Sequence, residues 1–245
     1  MSHERPILEG RRVLITGGAG GVGRAVAERM VESGARVLLA DRDDAELAKV
    51  ADASRDSPGA IETVASDLSE RQAIAQMFAR ADDWLGGLAC AGVGSGPLME
   101  MDDAGWRYVI ESNLASYVAC TKDAIDRFRA AQARDGMIVL VGSISVHMKA
   151  VGESVYNAAK GGVASFAETL RKEMMREHIR VTLIEPGAIG TGMQPFSSEE
   201  RARQIEEYQM LPPAEVAEAI LFAATRSPGV DVVTLRIEPL IQKIY

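Results

Sequence analysis

Short apolar runs alternate with longer helix-period stretches along the whole chain, and this alternation limits the folds that the chain can adopt. Parallel strands need helical crossovers and are buried on both faces, so their sequences read as short apolar runs of this kind. The pattern predicts an α/β fold, in which a doubly wound parallel sheet of seven strands carries helices on both faces. The predicted strands are Arg12–Thr16, Arg36–Ala40, Ile61–Ala65, Gly87–Cys90, Met137–Val141, Arg180–Ile184 and Val232–Ile237. The predicted helices are Val22–Ser33, Asp44–Ala53, Ser69–Asp83, Asp103–Gln132, Val155–Glu177 and Pro213–Thr225.

Length and composition fit one globular domain. The chain has 245 residues, of which 47% are hydrophobic and 25% charged, and no internal repeat or linker divides it. Because α/β domains often reach this length, we expect a single domain over residues 1–245. The net charge of −8 is unsuited to nucleic-acid binding, which needs a basic surface stripe.

The sequence also argues against a membrane span and a metal site. No apolar run reaches the roughly 18 residues that a span requires, and Met1–Gly10 lacks the apolar region of a signal peptide. The three histidines and two cysteines lack metal-ligand spacing, and Cys90 and Cys120 lie in apolar stretches typical of buried thiols. We therefore expect a cytoplasmic protein with no metal and with neither a membrane nor a nucleic acid as its partner.

A glycine-rich turn follows the first predicted strand and opens the first helix. Glycines at such a turn let the backbone amides approach a pyrophosphate, and the helix N-terminus adds partial positive charge. The context of strand, turn and helix is that of a dinucleotide-binding Rossmann fold. The candidate phosphate-binding residues are Thr16, Gly17, Gly21, Val22 and Gly23.

An acidic residue, Asp41, ends the second strand eighteen residues after Gly23. A carboxylate there can accept hydrogen bonds from the adenosine ribose hydroxyls. It would repel a 2′-phosphate by about 4 kcal/mol per charge pair at ~4 Å and intermediate dielectric. This favours NAD over NADP, although Arg42 follows directly and could bind a phosphate.

Tyr156 and Lys160 lie four residues apart in a predicted helix and therefore share one face. A phenol with a reference pKa near 10 is a poor base at neutral pH, and lowering its pKa by about three units requires about 4 kcal/mol. A nearby lysine, together with the positive charge of oxidised nicotinamide, could provide that stabilisation. Ser143 ends the preceding strand thirteen residues before Tyr156, where its hydroxyl could hold a substrate carbonyl.

Together these motifs resemble the single-domain short-chain dehydrogenase/reductase family, over essentially the whole chain. The family's Thr-Gly-x-x-x-Gly-x-Gly pattern is matched by the glycine turn, and its Ser–Tyr–Lys set by Ser143, Tyr156 and Lys160. Its catalytic asparagine is matched by Asn113, inside the long predicted helix. The Tyr–Lys spacing alone is too common to identify the family. The order of the glycine turn, the asparagine, the serine and the Tyr–Lys pair along the chain makes the resemblance specific.

The resemblance implies a role for each residue. Tyr156 would be the general acid in reduction and the base in oxidation, Lys160 would bind the nicotinamide ribose and depress the tyrosine pKa, and Ser143 would polarise the carbonyl. Asn113 would hold a water in the proton relay. Further cofactor contacts, to the adenine and the nicotinamide, are implied for Asp67, Leu68, Ala91, Gly92, Pro186, Gly187, Ile189 and Thr191. A homodimer or homotetramer is also implied.

Two features depart from the family pattern. Where many members read Asn-Asn-Ala-Gly after the fourth strand, this chain has Ala89-Cys90-Ala91-Gly92, so the usual asparagine contacts are lost. The C-terminal run Leu235–Ile241 replaces a common Asp-Gly-Gly ending. That weakens the inference of the usual tetramer and resembles members whose apolar tail packs against a neighbouring subunit.

The stretch Thr191–Leu211 is longer than most connections in such folds. Long excursions at the carboxyl ends of strands often cover ligands, so we expect a substrate lid at residues 191–211. The candidate substrate-pocket residues are Ser143, His147, Met148, Met193 and Phe196.

The sequence thus favours an oxidoreductase that transfers a hydride between NAD(H) and a secondary alcohol or ketone. A 3-oxoacyl-type reductase using NADP(H) is the alternative within the enzyme class, and Asp41 argues against it. Outside that class, the chain could be a catalytically idle NAD-binding redox sensor, which the joint presence of Asn113, Ser143, Tyr156 and Lys160 disfavours. The substrate cannot be read from the sequence.

Overall fold

The computed structural model describes residues 7–82, 87–89 and 97–242, with the backbone alone described for 87–89. Its strands are β1 Arg12–Thr16, β2 Arg36–Asp41, β3 Ala60–Ala65, β4 Gly87–Ala89, β5 Met137–Val141, β6 Arg180–Pro186 and β7 Thr234–Ile237. Its helices are α1 Gly21–Glu32, α2 Asp44–Ala53, α3 Arg71–Ala81, α4 Asp103–Ile110, α5 Ser116–Ala130, α6 Ser154–Met174, α7 Ser198–Glu206 and α8 Pro213–Ala224. The predicted α/β fold with parallel strands is confirmed.

The strands form one sheet in the order β3-β2-β1-β4-β5-β6-β7, and every pairing is parallel. The chain moves outward from β1 to β3, returns to β4 beside β1, and then moves outward again to β7. Strand order therefore reverses between β1 and β4. Open α/β sheets bind ligands in the crevice at the carboxyl ends of the strands beside such a reversal.

The sheet separates two apolar cores, as the period-two alternation of its strands requires. In β5, Ile138 and Leu140 belong to a core shared with α3, α5 and α6, whereas Met137 and Val139 face a second core under α1, α2 and α8. Phe78 is fully buried in the first core. Helices on both faces thus hold the carboxyl ends of the strands at one edge of the sheet.

The long helix predicted at Asp103–Gln132 is present from Asp103 to Ala130, but it is not a regular α-helix throughout. A π-helical turn, Glu111–Ala115, separates α4 from α5 and contains Asn113. Such a turn rotates the following helix relative to the preceding one, so that α4 packs on α6 whereas α5 packs on α3. The apolar period of the sequence predicted the helix but not the π-helical turn within it.

Other boundaries differ by a few residues. The predicted helices Ser69–Asp83 and Val155–Glu177 are shorter in the structure, the second ending in a 3-10 turn at Met175–Glu177. The last strand begins at Thr234 rather than Val232, and Cys90 lies outside the described residues. Within the described part of the chain, no helix is both long and apolar enough to cross a membrane.

Candidate active site

A cavity of about 1420 Å³ opens at the carboxyl ends of the strands. The segments that follow β1, β2, β3, β5 and β6 all line it. The cavity therefore occupies the crevice that the strand reversal creates.

The glycine turn forms one end of this cavity. Gly17 has a φ of 71°, a conformation that favours glycine. A Cβ on Gly23 would overlap the backbone oxygen of Gly17 and lie 2.8 Å from its carbonyl carbon, so a side chain cannot fit there. Gly20 caps α1 without a side-chain hydrogen bond, and the first turn of α1 holds no acidic residue. The exposed amides and positive helix end suit a pyrophosphate.

Asp41 lies beside this turn and supports it. Its Oδ2 accepts a hydrogen bond from the Ala19 amide at 3.1 Å, and its Oδ1 accepts one from the Asp43 amide at 3.3 Å. The carboxylate also lines the cavity, where remaining lone pairs can accept from a ribose hydroxyl. Asp41 therefore ties the phosphate-binding turn to the end of β2.

Arg42 and Asp67 line the cavity next to Asp41. The exposed Arg42 guanidinium donates a hydrogen bond to the Tyr108 hydroxyl at 2.9 Å. Hydrogen bonds from the side chain and backbone of Ser69 hold the pKa of Asp67 below its ordinary value, and the charge of Arg42 adds to this effect. Leu68 follows Asp67 on the same wall.

Tyr156 lies in the first turn of α6 and faces the cavity together with Ser143, which follows β5. Burial raises the pKa of the Tyr156 phenol above its usual value, the hydrogen bond with Ser143 lowers the pKa, and the negative charge of Glu153 raises it further. Ser143 Oγ in turn accepts a hydrogen bond from the Ser145 amide at 3.1 Å, which orients its hydroxyl. The sequence predicts a lowered pKa for this phenol, but within the folded chain the raising effect of burial outweighs the lowering effect of the Ser143 hydrogen bond.

Lys160 is almost fully buried beside this pair. Its Nζ lies 5.8 Å from the centre of the Tyr156 ring and donates hydrogen bonds to the Val141 carbonyl at 2.9 Å and to the Tyr117 hydroxyl at 3.2 Å. Tyr117, fully buried in α5, donates its own hydroxyl hydrogen to the Val141 carbonyl at 3.1 Å. Because the carbonyl can only accept, a lone pair of the phenol oxygen faces the ammonium.

Asn113 is fully buried in the π-helical turn and does not line the cavity. Its Nδ2 donates a hydrogen bond to the Val109 carbonyl one turn earlier, at 2.9 Å. Ser112 and Ser116, on either side in sequence, do line the cavity. The structure therefore places Asn113 behind the cavity wall rather than on it.

The segment at the end of β6 forms another part of the cavity wall, with Pro186, Gly187, Ile189 and Thr191 all on its surface. Thr191 also touches the glycine turn, since a Cβ on Gly21 would lie 2.8 Å from Thr191 Cγ2. The two turns thus meet across the cavity. Ala91 and Gly92 lie outside the described residues.

Three of the candidate substrate residues that the lid and loop supply, Met148, Met193 and Phe196, line the cavity. His147 does not, because its Nε2 is hydrogen-bonded at 3.0 Å to Oε2 of Glu185, which is buried at the end of β6. This contact turns the imidazole away from the cavity, contrary to the pocket position predicted for it.

Several cavity residues carried no recognised signal in the sequence. Tyr117 lies one helical turn after Asn113, a spacing that could have identified it, and Glu153 lies one turn before Tyr156. Gln204 and Gln209 come from the predicted lid, and Gln242 comes from the C-terminal tail. Among the described residues there is no group of three or more histidine, cysteine, aspartate or glutamate side chains that could hold a metal.

Comparison with known proteins shows the family of this chain. A model of the short chain dehydrogenase family matches residues 11–202. A cis-4-hydroxycyclohexanecarboxylate dehydrogenase of Sinomonas cyclohexanicum is 34% identical, with 88% of this chain and 89% of the relative covered. The bovine (Bos taurus) dehydrogenase/reductase SDR family member 11 is 28% identical, with 94% and 96% covered.

A solved structure of a family member has the same fold. A metagenomic short-chain oxidoreductase in complex with NADP superposes with a TM-score of 0.81 at 25% identity, with 96% of this chain and all of that chain covered. The parallel α/β fold of this chain is therefore shared with that oxidoreductase over nearly its whole length. The chain belongs to the short-chain dehydrogenase/reductase family and is an NAD(P)-dependent oxidoreductase acting on CH–OH groups.

Proposed function

We propose that the protein transfers a hydride between NAD(H) and a secondary alcohol or ketone, with Tyr156 as the general acid and base. The observation that carries the proposal is the cluster of Tyr156, Ser143 and Lys160 on one cavity that also contains the glycine turn. The nicotinamide ring supplies the hydride acceptor or donor. We treat residues 1–245 as the single domain that performs this reaction.

The polar groups on the cavity wall complement those of the proposed cofactor. One end offers free helix amides and the Asp41 carboxylate, which suit a pyrophosphate and ribose hydroxyls. The other end offers the Ile189 amide, which has no acceptor within residues 7–82, 87–89 and 97–242. An amide donor of this kind suits a carboxamide oxygen.

The raised pKa of Tyr156 defines its resting state. A phenol whose pKa lies above 10 is protonated at neutral pH, so it can donate a proton to a carbonyl oxygen during reduction. In oxidation the phenolate must form, and a nearby positive charge favours that form. Lys160 provides one such charge, 5.8 Å from the ring. Oxidation should therefore accelerate as the pH rises towards the phenol pKa.

The remaining groups hold the reacting atoms. Ser143 hydrogen-bonds Tyr156 and can hold the same substrate oxygen. Lys160 is fixed by Tyr117 and the Val141 carbonyl, at a place from which we propose that it also reaches the cofactor ribose. We assign Asn113 the indirect role of stabilising the π-helical turn through its hydrogen bond to the Val109 carbonyl.

We propose NAD as the preferred cofactor because Asp41 lines the cavity with its carboxylate. A 2′-phosphate would meet that charge, whereas Arg42 is engaged with Tyr108. The solved relative with NADP makes NADP(H) the alternative that any assay must include. A preference for NADP(H) would favour the alternative function, a 3-oxoacyl-type reductase.

The test is an absorbance assay at the NADH band with a panel of secondary alcohols and ketones, run with each cofactor. The panel should include cis-4-hydroxycyclohexanecarboxylate, the compound in the name of the 34% identical relative. We expect turnover of at least one compound, faster with NAD(H). Tight NADH binding without turnover of any compound would favour the redox-sensor hypothesis instead.

We further propose that residues 191–211 form a lid over the substrate. Ser197 caps the start of their helix α7, since its hydroxyl accepts from the Glu200 amide at 3.2 Å. Met193 and Phe196, just before this cap, are partly exposed on the cavity. We expect limited proteolysis to cut this segment in the free protein and to slow when cofactor and substrate are both added. Equal cutting rates in the two states would contradict the proposal.

A further inference from the structure

The turn after β6 is held by hydrogen bonds from three separate parts of the chain. The Gly187 amide donates to the Ile237 carbonyl at 2.7 Å, and the Gly190 amide donates to the Leu211 carbonyl at 3.0 Å. The Ala188 amide donates instead to a side chain, the Oε1 of Gln242, at 3.1 Å. The one amide between Gly187 and Gly190 without a partner in the described structure is that of Ile189.

Gln242 reaches this position because the C-terminal tail folds back over the turn. A Cβ on Gly187 would overlap Gln242 Oε1 and lie 2.8 Å from Pro239 Cδ, so the tail packs directly on the glycine backbone. The Ile241 amide donates to the Tyr208 carbonyl at 2.9 Å, which ties the tail to the end of the proposed lid. The run that departs from the family ending thus contacts its own chain.

We propose that Gln242 is a positioning residue: it fixes the Gly187–Ala188 peptide group and, together with the Leu211 amide that holds the next peptide group, aims the Ile189 amide at the nicotinamide in the cavity. The inference rests on the proposed function, since it needs a nicotinamide cofactor in this cavity. Ala188 is bonded on both sides, because its carbonyl accepts from the Leu211 amide at 2.8 Å. Removal of the Gln242 acceptor would leave the backbone of Ala188 held on one side only.

The side-chain length of Gln242 matters as much as its oxygen. An acceptor one methylene shorter could not reach the Ala188 amide from the same backbone position, whereas a glutamate of equal length could still accept. An unsatisfied amide in this partly buried turn is costly, so the turn would rearrange to regain a partner. The peptide group that carries the Ile189 amide would then be held by the Leu211 amide alone, and the direction of the Ile189 amide would be less tightly fixed.

The test measures binding of two ligands to the full-length chain. NADH and ADP-ribose share the adenosine and pyrophosphate, but only NADH carries the nicotinamide. Gln242→Leu and Gln242→Asn should each weaken NADH binding about fivefold or more while leaving ADP-ribose affinity unchanged. Gln242→Glu should retain NADH affinity, and Leu240→Ala, in an exposed neighbour of the same tail, should change neither ligand.

Each other outcome overturns the inference. Equal weakening of both ligands would mean that the tail only stabilises the cavity as a whole, and unchanged NADH affinity in Gln242→Leu would mean that Gln242 positions nothing. An equal loss in Gln242→Glu would exclude the acceptor role. If the unmutated chain bound neither ligand, the proposed function would fail together with this inference, and that result differs from all the others.

Discussion

The glycine turn and the turn after β6 present backbone amides to the same cavity, yet they are built differently. The glycine turn is local, because Gly17 and Gly23 contact each other within one short run and only glycine satisfies both positions. The turn after β6 depends on distant partners, one of them Gln242, which lies 54 residues from Ala188. The conformation of the phosphate-binding turn thus depends on consecutive residues, whereas that of the turn after β6 depends on residues that are distant in the sequence.

The largest effect on cofactor binding is expected from a substitution in the glycine turn. In Gly23→Ala the new methyl group would overlap backbone atoms of Gly17, which cannot move without opening the turn. We expect NADH affinity to fall by about a hundredfold or more, since about 3 kcal/mol of strain or lost contact suffices. Fluorescence titration measures this loss. Gly229→Ala, where a Cβ meets open space, is the matched control and should bind normally.

A smaller change separates the charge of Asp41 from its hydrogen bonds. Asp41→Asn can still accept from the Ala19 amide but carries no negative charge. We expect the preference for NAD over NADP to shrink by about tenfold, the equivalent of about 1.4 kcal/mol. Binding constants for both cofactors test this prediction. An equal preference in the unmutated protein, or an unchanged preference in the variant, would refute the role of the carboxylate.

The smallest expected effect is on kcat/KM, from a substitution of Tyr117, whose buried phenol lies beside Lys160. Tyr117→Phe removes the hydroxyl that accepts from Lys160 but keeps the packing of the ring. We expect kcat/KM to fall about fivefold, the equivalent of about 1 kcal/mol for one lost hydrogen bond. Thr121→Val, which removes another fully buried hydroxyl from α5, should leave the rate unchanged. Equal rates in all three proteins would show that Tyr117 does not position the lysine.

The contrast between features set by neighbouring residues and features set by distant residues also explains what the sequence could predict. The alternation of strands and helices is a local pattern, so the parallel α/β fold followed from it, and Tyr156 and Lys160 were expected together because four residues make one helical turn. The π-helical turn at Asn113 and the Glu185 contact of His147 depend on tertiary packing, which has no period in the sequence.

The raised pKa of Tyr156 was missed for a related reason. The expectation counted the charge of Lys160, but burial by the surrounding elements is a property of the folded chain and is the largest influence on this phenol. The Glu153 carboxylate adds a second influence that spacing alone did not suggest. Gln242 gave no signal at all, because a single glutamine in a tail resembles any surface residue.

The central claim is that Tyr156 transfers the proton in an NAD(P)-linked reaction, and one variant tests it most directly. In Tyr156→Phe we expect kcat to fall by about 10²-fold or more, the contribution of a positioned acid and base, with NADH affinity close to that of the unmutated protein. Steady-state turnover of the best substrate and an NADH titration, done on the same preparation, give both numbers. Retained turnover in Tyr156→Phe, at normal cofactor affinity, would contradict the account.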